Sequence, residues 1–83
     1  MKHYTSSDFW GFYQRLPTEI QKLANKNYEL LKDNPTHPSL KLKRIEELWS
    51  IRVGSRYRAL GIDVEGGIQW VWIGSHESYN KKI

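Results

Sequence analysis

The chain contains no cysteine, so neither a disulfide framework nor a thiolate metal site can form. That absence fits a reducing compartment. No run of about 18 apolar residues occurs, so no helical membrane span is expected. Met1-Lys2-His3-Tyr4-Thr5 carries no apolar stretch, so no secretory signal is expected and the expected location is the cytoplasm. The six glycines match neither the phosphate-binding loop nor the dinucleotide fingerprint. No Gly-x-Ser-x-Gly is present. His3 and His37 stand far apart with no ligand-like spacing, so no metal is expected, and no cofactor. Nucleotide hydrolases, serine hydrolases and metalloenzymes are set aside on these grounds. Acidic residues are also outnumbered: 9 Asp and Glu stand against 13 Lys and Arg, for a net charge of +4. A basic excess on a small domain favours polyanionic partners, although solubility alone also selects it.

Eighty-three residues make one domain, spanning residues 1–83. Such a chain buries only about 60–65% of its unfolded surface, so its core is thin. Four tryptophans compensate in part, since each buried aromatic removes about 150–250 Å² from water.

The first half reads as helix and the second as strand, the α+β pattern. Ser6, Ser7 and Asp8 offer cap chemistry, and Phe9, Phe12, Tyr13 and Leu16 recur at helical spacing. A first helix is expected over about 7–16, ended by Pro17. Thr18 and Gln21 have capping-box spacing. Ile20, Leu23, Ala24, Asn27 and Leu31 share one face of a second helix, which Asp33-Asn34-Pro35 stops. A loop with two prolines follows, then a short extended piece holding Leu40, Leu42 and Ile45. Trp49, Ile51 and Val53 alternate with Ser50 and Arg52, as in a half-buried strand. Gly54-Ser55 turns the chain into a strand over 57–64. Glu65-Gly66-Gly67 is a hairpin signal. Residues 68–73 are apolar on both faces, with Trp70 and Trp72 on one and Val71 and Ile73 on the other, which marks a central strand. The tail over 77–83 is polar, with room for a helical turn. The expected architecture is an N-terminal helical hairpin packed on one face of a three- to four-stranded antiparallel sheet. Its other face would carry Arg52, Arg58 and His76.

The second half concentrates the chemistry. Lys41, Lys43, Arg44, Arg52, Arg56 and Arg58 stand against only Glu46 and Glu47. Arg58 shares a strand face with Arg56, Leu60, Ile62 and Val64. A guanidinium among aliphatics needs an acceptor. Either Glu46 or Glu47, or a phosphate from a ligand, would serve. His76 ends the most buried strand, where it is either a general acid or base or a plain polar strand-end residue. Tyr79 either donates a proton or packs on the sheet, and a phenol is a poor base near neutrality. Tryptophans stack on bases, but Trp10, Trp70 and Trp72 lie in apolar runs and Trp49 aligns with inward residues, so all four are expected in the core.

Five segments, in order, resemble the RelE/ParE superfamily of toxins from type II toxin–antitoxin pairs. They are Leu16-Pro17-x-x-Ile20-Gln21, Asn34-Pro35-x-His37-Pro38-Ser39-Leu40, Trp49-Ser50-Ile51-Arg52-Val53, Tyr57-Arg58-Ala59-Leu60 and Trp72-Ile73-Gly74-Ser75-His76-x-x-Tyr79. The resemblance implies a helical hairpin on a small antiparallel sheet. It also implies one of two activities. RelE-like members cleave mRNA on the ribosome without a metal, by attack of a 2′-OH on the adjacent phosphate. ParE-like members inhibit DNA gyrase. A third alternative is a non-toxic nucleic-acid-binding module. Carried onto this chain, Arg58 would hold the scissile phosphate and Arg52 matches a basic position on the preceding strand. His76 would protonate the 5′ leaving oxygen or deprotonate the 2′-OH. Tyr79 matches a C-terminal tyrosine at altered spacing. Lys41, Lys43, Arg44 and Arg56 would contact RNA by charge. The implied partner is an antitoxin encoded by an adjacent gene. Two departures stand out: Met1 to Thr5 offers only a stub of a first strand, and Ser50 and Arg52 replace a lysine-rich second strand.

Overall fold

A computed structural model describes residues 2–82. In chain order it contains β1 (Lys2–Thr5), α1 (Ser7–Gln14), α2 (Thr18–Asp33), β2 (Lys43–Ile45), β3 (Leu48–Val53), β4 (Tyr57–Val64), β5 (Gly67–Ser75) and α3 (His76–Lys82). Met1 and Ile83, the outer ends of the expected stub and tail, lie outside the described residues. No described helix is long and apolar enough to cross a membrane.

The α+β architecture is as expected, with one correction to the sheet. It has five strands in the order β1-β5-β4-β3-β2, and it is mixed rather than antiparallel. The extra strand is the N-terminal stub. Lys2 to Thr5 pair in parallel with Gly67 to Trp70. Tyr28 Oη reinforces this edge by donating to the His3 carbonyl at 3.2 Å.

Local chemistry explains the helix boundaries. Ser6 Oγ accepts from the Phe9 amide at 3.2 Å, capping α1. The helix stops at Gln14, two residues before expected. Arg15 and Leu16 tighten into three-residue turns on Phe12 and Tyr13, and a residue before proline disfavours helical backbone. The expected capping box does not form. Pro17 holds the N-cap position with no side-chain cap, and Gln21 Nε2 turns back to the Tyr13 and Leu16 carbonyls, each at 3.2 Å. One amide thus serves the orphan acceptors that end α1.

Both helices cover one sheet face, α1 against β5 and α2 against β3. Phe9, Leu31, Leu40, Ile51, Val53, Ile68, Trp70 and Ile73 form that core. Asn27, buried on α2, donates through Nδ2 to the Arg52 carbonyl at 3.1 Å. The hairpin turn between β4 and β5 requires Gly66, whose φ is +84°.

Strict alternation on β5 would leave Trp70 and Trp72 on one face. The structure separates them. Register slips between Leu60 and Gly61, so that Gly61 faces Trp70 and Leu60 faces Trp72, leaving Val71 as the extra residue of a bulge. Trp70 enters the helix-covered core, whereas Trp72 joins Leu60 and Tyr79 in a second cluster on the opposite face. That face is covered by α3, whose polar sequence hides one buried residue among those described, Tyr79. Trp10 departs from expectation: it is 46% exposed, packing edge-on against Phe9 and Tyr13 at the surface.

Candidate functional site

The sheet face carrying Trp72 also carries the cations. Cross-strand register sets Arg52 directly opposite Arg58, and Arg58 opposite Gly74. Lys43 pairs with Ser50, which pairs in turn with Leu60, on the same face. Like charges opposed across an antiparallel pair are destabilising. No carboxylate relieves them: the two ion pairs among the described residues are Lys32–Glu29 and Arg44–Asp63. Glu46 and Glu47 lie at the β2–β3 turn, so the internal partner left open by the sequence is not used.

Arg58 is held instead by an aromatic ring. Its guanidinium carbon stands 5.2 Å from the centre of the Tyr79 ring, a cation–π contact. Its Nη1 is buried and has no hydrogen-bond partner. A guanidinium N–H removed from water with no acceptor is costly and marks a place that a ligand can satisfy. Arg52 is oriented differently, donating from Nε to the Gly54 carbonyl at 2.8 Å.

His76 begins α3 and is exposed. Its backbone N–H donates to the Arg56 carbonyl at 2.6 Å, fixing the junction. Its imidazole stacks on Tyr79, with centroids 5.8 Å apart and planes 20° from parallel. Tyr79, at 4% exposure, therefore touches both Arg58 and His76 while remaining buried. Arg52, Arg58, Tyr79 and His76 form one continuous set.

The remaining predicted cations divide. Lys43 lies on this face at the sheet edge, and Arg56 is exposed beside the His76 junction. Lys41 is exposed in the loop before β2, with φ +47°. Arg44 is one residue from Lys43 and so points to the other face. There it pairs with Asp63 and lies over Trp49 at 5.1 Å. Hydrogen bonds from Trp49 first, then from Arg44, hold the Asp63 carboxyl below the usual range.

Sequence reasoning gave no role to Ser50. It is fully buried on the cationic face and its Oγ has no partner. The signal was its alternation with Arg52. Gly74 was likewise passed over. A Cβ there would stand 2.5 Å from Trp72 Cζ2, so the indole lies across the glycine. Among the described residues no cluster of His, Asp and Glu could hold a metal.

A family profile, the ParE-like toxin domain, matches residues 18–81. No curated protein matches by sequence. Solved structures share the fold at low identity. A chain of the RelB–RelE antitoxin–toxin complex from Methanococcus jannaschii superposes with a TM-score of 0.75 at 18% identity, covering 96% of this chain and 98% of that one. YafQ from E. coli gives a TM-score of 0.74 at 10% identity, covering 94% and 96%. The YoeB/ParE toxin from Agrobacterium tumefaciens gives 0.68 at 19% identity, covering 92% and 99%.

Proposed function

The chain belongs to the ParE-like toxin domain family, within the RelE/ParE superfamily of type II toxin–antitoxin toxins, and from that premise we propose that it is a metal-independent endoribonuclease acting on ribosome-bound mRNA. The observation that carries the reading is the Arg58 guanidinium, which has a buried, unpartnered Nη1 and an exposed histidine on the far side of a shared tyrosine.

The RNA 2′-oxygen attacks the adjacent phosphorus and gives up its proton to solvent water. The P–O5′ bond breaks, giving a cyclic phosphate and a 5′-hydroxyl. Negative charge grows on the non-bridging oxygens. Arg58 and Arg52 supply donors there, the kind of electrostatic stabilisation that is often the largest catalytic term. His76, exposed to substrate, protonates the departing 5′-oxygen. Tyr79 is a positioning residue: buried, it fixes the guanidinium and the imidazole. Lys43, Lys41 and Arg56 hold the flanking backbone by charge. Arg44 has no part, being committed to Asp63 on the opposite face.

An antitoxin is the proposed protein partner. The RelB–RelE complexes of Methanococcus jannaschii and Pyrococcus horikoshii, and the YoeB–YefM complex of Staphylococcus aureus, share this fold. An acidic or amphipathic segment laid over the Arg52–Arg58 row would neutralise it.

Inducible expression with primer-extension mapping tests the reading. Expression halts growth and leaves mRNA with new 5′ ends, and Arg58→Ala or His76→Ala abolishes both effects. Full toxicity in folded protein carrying both substitutions would sink the proposed site. The ParE-like profile favours a second reading, inhibition of gyrase. It predicts DNA-damage signalling while translation initially continues.

A further inference from the structure

β1 pairs with β5 only as far as Trp70, so among the described residues no strand covers that side of β5 from Val71 to Ser75. A groove of about 500 Å³ runs there, between the α1–α2 turn and α3. Its volume lies within the range of about 300–1,000 Å³ usual for small-ligand sites. Arg15 and Lys81 line it from opposite elements, and no carboxylate does. Neither cation has an ion pair among the described residues. Phe12, Tyr57 and Trp72 supply ring walls, and Arg15 lies 5.7 Å from the Phe12 ring centre. Ser75 Oγ accepts from the Ser78 amide at 3.2 Å, holding the start of α3 beside the groove.

We propose that this groove is a nucleotide subsite, in which Arg15 and Lys81 hold a phosphate of single-stranded RNA next to the scissile one and the aromatic walls take its base. This rests on the endoribonuclease reading. The two sites are continuous: Gly74 and Ser75 line the groove, Gly74 is the register partner of Arg58, and His76 follows directly. RNA leaving Arg58 along the uncovered side of β5 enters the groove. Cations without carboxylates match a phosphate, and ring faces accept any base.

The test measures binding of a short single-stranded RNA, carrying a 2′-deoxy nucleotide at the cleavage position, by tryptophan fluorescence across a salt series. The proteins are the wild-type chain, the Arg15→Ala/Lys81→Ala double variant, the single variants Arg15→Gln and Lys81→Gln, and Arg58→Ala. In the double variant affinity falls and the slope of log K against log salt shrinks by about 0.7, for the one phosphate no longer neutralised. Each single variant loses about half of that slope. Wild-type affinity and slope in the double variant overturn the proposal. If the wild-type chain leaves mRNA uncut while the double variant weakens RNA binding, the endoribonuclease reading fails and the groove stands. An acidic peptide that binds more tightly than the RNA, and needs both cations, makes the groove a protein-docking site and also overturns the proposal.

Discussion

The two faces of the sheet handle arginine in opposite ways. On the helix-covered face, Arg44 meets Asp63 and lies over Trp49, so its charge and its donors are used. On the other face, Arg58 meets Arg52, no carboxylate, and the ring of Tyr79. The void spaces differ in the same sense. Between α1, α2 and the sheet there is an apolar cavity of about 100 Å³. At the uncovered edge of β5, between the α1–α2 turn and α3, lies a groove five times larger by volume, about 500 Å³, where Arg15, Lys81 and hydroxyls stand among aromatic rings. One face is arranged for burial. The other keeps unsatisfied groups that only something outside the chain can satisfy, as expected when local consistency is given up at a functional site.

The sharpest way to break this contrast is to damage each face separately. Leu31→Ala, at a fully buried position of the helix-covered core, lowers unfolding free energy by about 3 kcal/mol. Urea denaturation followed by tryptophan fluorescence checks it. That is a large share of a total of about 5–15 kcal/mol. Arg58→Ala does the reverse. It reduces mRNA cleavage by a factor of about 10²–10³, with urea stability unchanged or slightly higher because a like-charge pair is relieved. Loss of stability without loss of cleavage would make Arg58 a structural residue.

Smaller effects sharpen the contrast. Arg44→Ala removes an ion pair whose partners are both about half exposed, so solvent screening leaves the loss of stability small, well below that of Leu31→Ala, and cleavage is unaffected. The smallest effect is a pH dependence. His3 Nδ1 accepts from Trp70 Nε1 at 3.2 Å. Burial first, then nearby positive charge including Lys32, lowers its pKa below the ordinary 6.5. The unfolded chain therefore protonates first as pH falls. Stability is fully present above about 6.5 and declines as pH drops through the lower folded value. Thermal melts between about pH 7 and pH 5 check this, and His3→Gln flattens the profile.

Much of this was legible in the sequence where periodicity decides structure. The apolar stripe Ile20, Leu23, Ala24, Asn27, Leu31 gave α2, and alternation set Arg52 and Arg58 on one face. What escaped depends on residues distant along the chain. β1 has no apolar pattern of its own and exists through pairing with Gly67 to Trp70. The Val71 bulge is a property of two strands in register, so the separation of Trp70 from Trp72 could not be read from β5 alone. Tyr79 reads as an isolated aromatic in a polar tail, and its contacts with Arg58 and His76 appear only once α3 folds back over the sheet. The grouping of Lys43 with Arg44 failed for a simpler reason: adjacent residues on a strand face opposite ways.

Position 74 lies where packing and chemistry overlap. The Trp72 indole lies across Gly74, and Gly74 stands opposite Arg58. A methyl group added there would push the ring within its cluster with Leu60 and Tyr79, and Tyr79 carries the guanidinium and the imidazole. A genetic screen for non-toxic variants would therefore recover Gly74 substitutions beside those at Arg58 and His76. It would score them as active-site losses, although the defect would begin with the misplacement of a tryptophan.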